Sequence, residues 1–250
     1  MAFTLTTEHQ FINNDTWALI EVISDEDASN PRKEFENFGK MICFHGRYNL
    51  GDEHDGYHNS PSDFLRWLAG EVDPTVEDRI DYWNDGAGWV YLSSRYEFRD
   101  ACKLAECKED AIIRKALNDH VVMLPLYLYD HSGITMSTGP FSCPWDSGQV
   151  GWIYATKEMI REEYGITRIS KQLLKKVEVL LESEVKEYDQ YLTGDVWGYD
   201  VKLLKRHADA EPGSFDENDA DVLEEESCWG FFGSDYCLEE ARTVAENLAS

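Results

Sequence analysis

The sequence predicts an α+β protein: a mostly antiparallel sheet with several packed helices, one long helix at about 171–192. Three observations carry this. Short aliphatic and aromatic runs such as WALIEVI (17–23), VVMLPLYLY (121–129) and QVGWIYA (149–155) have the length and composition of strands. Leu173, Leu174, Val177, Leu180, Leu181, Val185 and Tyr188 recur with the i, i+3, i+4, i+7 spacing of a buried helix face. Strand-like runs also come in neighbouring pairs: VVMLPLYLY leads through the turn DHSG to ITMST, and DVWGYDVKLL (195–204) is matched by SCWGFFG (227–233).

Taken in order, WALIEVI and MICFH (41–45) read as buried strands joined by the polar segment SDEDASNPRKEFENFG. The loop GRYNLGDEHDGYHN (46–59) follows, dense in Gly, Asn and Asp. Ser60 then has the chemistry of a helix N-cap, with Pro61 at the first helical position and Asp63 at the third. Residues 96–118 carry Phe98, Ala101, Leu104, Ala105, Ile112, Ile113, Ala116 and Leu117 at helical spacing. Pro125 removes one ladder donor from the run 121–129, which places it on an edge strand or at a bulge. The loop GPFSCPWDSG (139–148) precedes the strand 149–155. Thr156 caps a short helix that stops at Gly165, Ser170 caps the long one, and 238–249 forms a last short helix.

A chain of 250 residues can bury roughly 70–75% of the surface its unfolded form exposes, and no Pro/Gly/Ser-rich linker divides it, so one domain over 1–250 is expected. The segment HADAEPGSFDENDADVLEEE holds nine acidic residues from Asp209 to Glu226 and no Lys or Arg, and reads as a flexible acidic loop at 207–226. Asp plus Glu number 49 against 23 Lys plus Arg, a formal net charge of −26. Acidic residues also crowd 21–36, 52–55, 71–81, 158–163 and 182–189. Such a surface repels nucleic acid and anionic membranes and attracts a basic partner. The N-terminal residues have neither the basic nor the apolar region of a signal peptide, and six cysteines without a CxxC fit reduced thiols in a cytoplasm.

Several constellations invite a chemical reading. His45, Asp52, His54, Asp55 and His58 fall within 14 residues and contain metal-ligand types, though HxH and HExxH are absent. Asp130-His131-Ser132-Gly133 has the composition of a triad, but neighbours on an extended chain point to opposite faces, and Asp with Gly fits a turn. Cys143 has no base or positive charge close in sequence. An EF-hand starting at Asp216 fails, with Asp221 at the glycine position and Ser227 at the final glutamate. GxxxxGK[ST] and GxGxxG are missing too, and no cofactor is implied.

The stretches FHGRYNLGDEH, LPLYLYDHSGITMSTGPFSCPWDSGQVGWIYATKE and DQYLTGDVWGYDV resemble an uncharacterised protein family of bacteriophages and mobile genetic elements. The resemblance covers about half the chain and implies a genetic setting without a mechanism. Acidic accessory proteins in that setting often resist host defence, anti-restriction and anti-CRISPR proteins that imitate DNA being the comparison by analogy.

The expected function is therefore that of a cytoplasmic inhibitor, not an enzyme. It binds a basic nucleic-acid-binding host defence protein through Asp216, Glu217, Asp219, Asp221, Glu224, Glu225 and Glu226. The alternative is a metal-dependent hydrolase acting on a nucleotide or signalling molecule, built on His45, Asp52, His54 and His131. A third reading, a phage assembly component, implies a homo-oligomer.

Overall fold

The computed structural model describes residues 2–54, 60–211, 213 and 215–250. In chain order the elements are β1 (Thr4–Asn13), β2 (Thr16–Ser24), α1 (Pro31–Glu34), β3 (Lys40–Cys43), α2 (Pro61–Val72), α3 (Val76–Asn84), α4 (Ala87–Arg95), α5 (Phe98–His120), β4 (Val121–Asp130), β5 (Ile134–Ser137), β6 (Ser147–Thr156), α6 (Lys157–Glu163), α7 (Lys171–Thr193), β7 (Val196–Arg206), β8 (Ala220–Phe232) and α8 (Ser234–Leu248). This is an α+β fold with antiparallel strand pairs, and α7 is a single helix of 23 residues.

The sequence, lacking a linker, reads as one domain. The chain forms two compact units, residues 1–35, 130–136 and 186–250 in the first, 36–129 and 137–185 in the second. Because the chain passes between them at 35–36, 129–130, 136–137 and 185–186, no single boundary exists for a linker to mark.

The first unit is a four-stranded sheet in the order β1-β2-β7-β8 with α8 against one face. Ala18, Ile20 and Val22 of β2 and Tyr199 and Val201 of β7 meet Cys237, Ala241 and Ala245, whose i, i+4, i+8 spacing gives α8 a narrow face that can approach the sheet closely. Trp17, Leu19 and Leu204 cluster apart from that group. Apolar side chains on both faces of β2 explain why WALIEVI runs almost without a polar break. β1 has no such run: Leu5 and Phe11 are exposed and Ile12 is half-buried against the α8 cluster, so composition does not mark it as a strand. It is held instead by the β2 ladder and by the paired hydrogen bonds that Arg242 donates to Glu8. Asp189, near the end of α7, accepts from Thr135 Oγ1 and the Met136 amide, both at 2.7 Å, and ties down β5.

The second unit packs α2, α3 and α5 around Phe64, Leu68, Val76, Ile80, Ala116 and Tyr154, beside the antiparallel strands β3, β6 and β4. Ser60 caps α2 as its sequence indicates, accepting from the Asp63 amide at 3.2 Å while its hydroxyl donates to the Asp63 carboxylate at 2.7 Å. Thr156 and Ser170 accept from the Met159 and Leu173 amides at the starts of α6 and α7. The β4–β6 register shifts between Leu126 and Tyr127, one residue after Pro125, where a bulge is expected. Burial pushes the Tyr154 hydroxyl up to about 12.

One expectation needs correcting. Residues 207–226 are not one irregular loop: a 3₁₀ turn occupies Glu217–Asp219, and from Ala220 onward the acidic run is part of β8. The ladder to β7 supplies the backbone partners that a polar segment otherwise takes from water, and an edge strand needs no apolar face to form.

Candidate functional site

The carboxylates that dominate the sequence reading divide into two groups. Asp216, Glu217 and Asp219 belong to the turn before β8. Asp216 caps it, accepting from the Asn218 amide at 2.9 Å, and that backbone hydrogen bond, with the Asn218 side chain, holds its carboxyl below the ordinary range. Glu217 accepts from Lys202 Nζ at 2.6 Å, which raises the lysine. The backbone carbonyl of Asp219 accepts from the His207 amide at 2.8 Å.

Asp221, Glu224, Glu225 and Glu226 lie along β8. Directly opposed residues of an antiparallel pair share a face. Glu224 and Glu226 stand opposite Leu203 and Val201, and Val201 packs under α8, so both glutamates project on the α8 side. Glu225 stands opposite Lys202, and Ser227 opposite Asp200, on the other side. Asp221 is opposite Lys205 and lies 3.2 Å from His207 Nε2. Glu225 and Asp221 thus face lysines across the ladder, Lys202 pairing with Glu217 and His207 with Asp221, while Glu224 and Glu226 face Leu203 and Val201 and have no ion pair among the described residues. At about 3.4 Å per residue the span 221–226 is ~17 Å long, roughly one carboxylate per 4–6 Å. One strand of duplex DNA carries a phosphate every ~3.4 Å. The carboxylates of β8 are therefore sparser than the phosphates of one such strand, and they divide between the two faces of the sheet.

Asp200 adds to this charge from β7. Burial raises its carboxyl, Lys202 opposes the rise, and the charges of Glu225 and Glu217 add to it; its Oδ1 is buried without a hydrogen-bond partner.

A cavity of about 720 Å³ adjoins the far end of β8, lined by Phe35, Trp229 and Phe232 together with Asp25, Glu26 and Asp27. Trp229 lies flat over Gly198: a Cβ at that position would run into Cδ2 and Cε3 of the indole. Gly198 is therefore what lets the tryptophan form the cavity wall. The sequence reading missed this site, although the paired WGY and WGF motifs were its visible trace. A second cavity, also about 720 Å³, lies within the second unit over Val122, Met123, Trp152 and Leu174, but its rim mixes Arg66, Arg114 and Lys157 with Asp63, Asp110 and Glu178 and favours no one charge.

The alternative residues each have local partners. Asp52 Oδ2 accepts from the Met41 amide at 2.8 Å, and His54 Nε2 lies 3.2 Å from the Cys43 carbonyl. His45 Nδ1 accepts from the Tyr48 amide at 3.2 Å, its ring stacked on Tyr48. His131 belongs to the other unit, in a tight turn where its amide donates to the Gly133 carbonyl and Ser132 takes a left-handed conformation. Cys143 Sγ donates to Asp146 Oδ2 at 3.5 Å. Among the described residues no three of His, Cys, Asp or Glu are placed to hold a metal ion; Asp55 and His58 lie outside them. No described helix is long and apolar enough to cross a membrane.

No protein-family model matches this chain, and no curated protein or solved structure matches it either.

Proposed function

We propose that this protein is a non-enzymatic accessory factor that binds a basic, nucleic-acid-binding protein and keeps nucleic acid from its binding surface. One observation carries the reading. Within a chain of net charge −26, Glu224, Glu225 and Glu226 are consecutive on an exposed strand, and two of them have no cation opposite. Carboxylates fixed on a backbone ladder are presented without the ordering cost a floppy acidic loop would bear on binding. Exposed charge of this kind mainly accelerates encounter, so affinity needs an apolar or aromatic anchor as well. Half-exposed Trp229 on the same strand supplies one. A phage or mobile-element origin, with a restriction or CRISPR protein as the target, belongs to the same proposal and rests on the sequence resemblance.

The test is capture of basic proteins from a bacterial lysate on the immobilised chain, followed by competition with duplex DNA. Retention of a nucleic-acid-binding protein that DNA displaces, with association slowed roughly tenfold at low salt by E224Q/E225Q/E226Q, is the expected result. Retention unchanged by that triple substitution removes β8 from the interface. Capture of nothing that also binds DNA removes the proposal.

A further inference from the structure

β8 ends the strand order of its sheet, so among the described residues nothing pairs with its outer edge, and residues 221–230 are exposed. Alternate N–H and C=O groups along that edge are open to a further strand. Another copy of β8 is a poor occupant. Antiparallel pairing of two such strands would set Glu224–Glu226 against the acidic residues of the other, and like charges directly opposed are destabilising. The charge selects a positively charged strand. Its distribution selects further: Glu224 and Glu226 project on one side of the sheet and Glu225 on the other. A strand with basic residues at alternate positions would answer only one side, whereas consecutive Lys and Arg answer both. Such a run is disordered alone and free to become extended. The cavity at the end of the strand suits the same ligand, since Phe35, Trp229 and Phe232 offer ring surface and Asp25 and Asp27 offer charge to a guanidinium.

We propose that β8 takes up an extended Lys/Arg-rich peptide segment as a fifth strand of its sheet, with one cationic side chain of that segment seated in the cavity beside Trp229. This rests on the acidic-surface reading and names the part of the partner that is bound: a basic tail or linker, rather than a folded groove.

Any polycation is attracted to a chain of this charge, so the test must separate strand pairing from charge. Three peptides of about nine alternating lysines and arginines have equal charge: one unmodified, one N-methylated at alternate residues, and one N-methylated throughout. An added strand turns only one set of its amides toward β8, and an all-basic repeat can slide by one residue to turn whichever set is free. Methylation throughout is expected to weaken binding at least tenfold by fluorescence anisotropy, while methylation of alternate residues leaves it within about twofold. The unmodified peptide should also slow hydrogen exchange at residues 221–230, and W229A should remove a preference for arginine over lysine at one end of the peptide. If the fully and the alternately methylated peptides differ by less than twofold, strand addition is overturned and the acidic-surface reading survives. If no peptide binds at ~50 mM salt, both fall. The protein is unaltered in the central comparison, so misfolding cannot imitate either result.

Discussion

Replacing Gly198 by alanine tests the contact that shapes the aromatic cavity. The new methyl would overlap the Trp229 ring, so the indole must leave its position. Trp229 is 49% exposed, so about half its surface is covered. For a side chain that buries up to ~250 Å², that is ~125 Å², or ~3 kcal/mol at ~25 cal/mol per Å² if the ring is wholly expelled. Relief of the glycine's backbone entropy returns ~0.5–1 kcal/mol. A net loss of about 2 kcal/mol is expected, a fall in Tm of ~4–8 °C for a chain of this size. The assay is a double-mutant cycle of G198A with W229A, read by urea or thermal denaturation. In the W229A background there is no ring to displace, and G198A should be neutral or stabilising by up to ~1 kcal/mol. An equal cost in both backgrounds would refute the reasoning and place the strain in the β7 backbone.

Burial raises the Asp200 carboxyl, so its protonated form is favoured in the folded chain: the stability it contributes is complete below its unfolded pKa and lost as pH rises through the folded one. D200N, which imitates the protonated form, should therefore raise Tm at pH 7 and make no difference near pH 3; a gap that widens on acidification contradicts this. Phe64 is buried against Trp152 and Tyr154, so F64A should cost ~3–5 kcal/mol by urea midpoint, and a cost below ~1 kcal/mol would mean that this cluster does not hold the second unit together. Trp145 is 92% exposed, so W145A should leave Tm unchanged while removing the emission most readily quenched by acrylamide.

The helices were the most legible part of the chain because their signals are local. Ser60, Thr156 and Ser170 each bond an amide three residues away, and the apolar stripe of α7 is written within one segment. Strands were legible only where both faces are covered, as in β2, or where a run is strongly aliphatic, as in β4. β1 escaped because Leu5 and Phe11 are exposed and Ile12 alone packs inward, and the start of β8 escaped because its charge density is that of a loop.

By itself the sequence determined the α+β class, the caps and the stripe of the long helix, the excess of negative charge and the identity of the acidic run. The conformation of that run comes from the tertiary structure alone. Whether 220–226 is a loop or a strand depends on β7, and the outer place of β8 depends on β2 having taken the other side of β7 from nearly two hundred residues away. The division of Glu224, Glu225 and Glu226 between two faces, and the seating of Trp229 on Gly198, follow from that register. Caps and helical periods are settled within a few residues of chain, whereas strand pairing is a choice among distant partners that composition does not record.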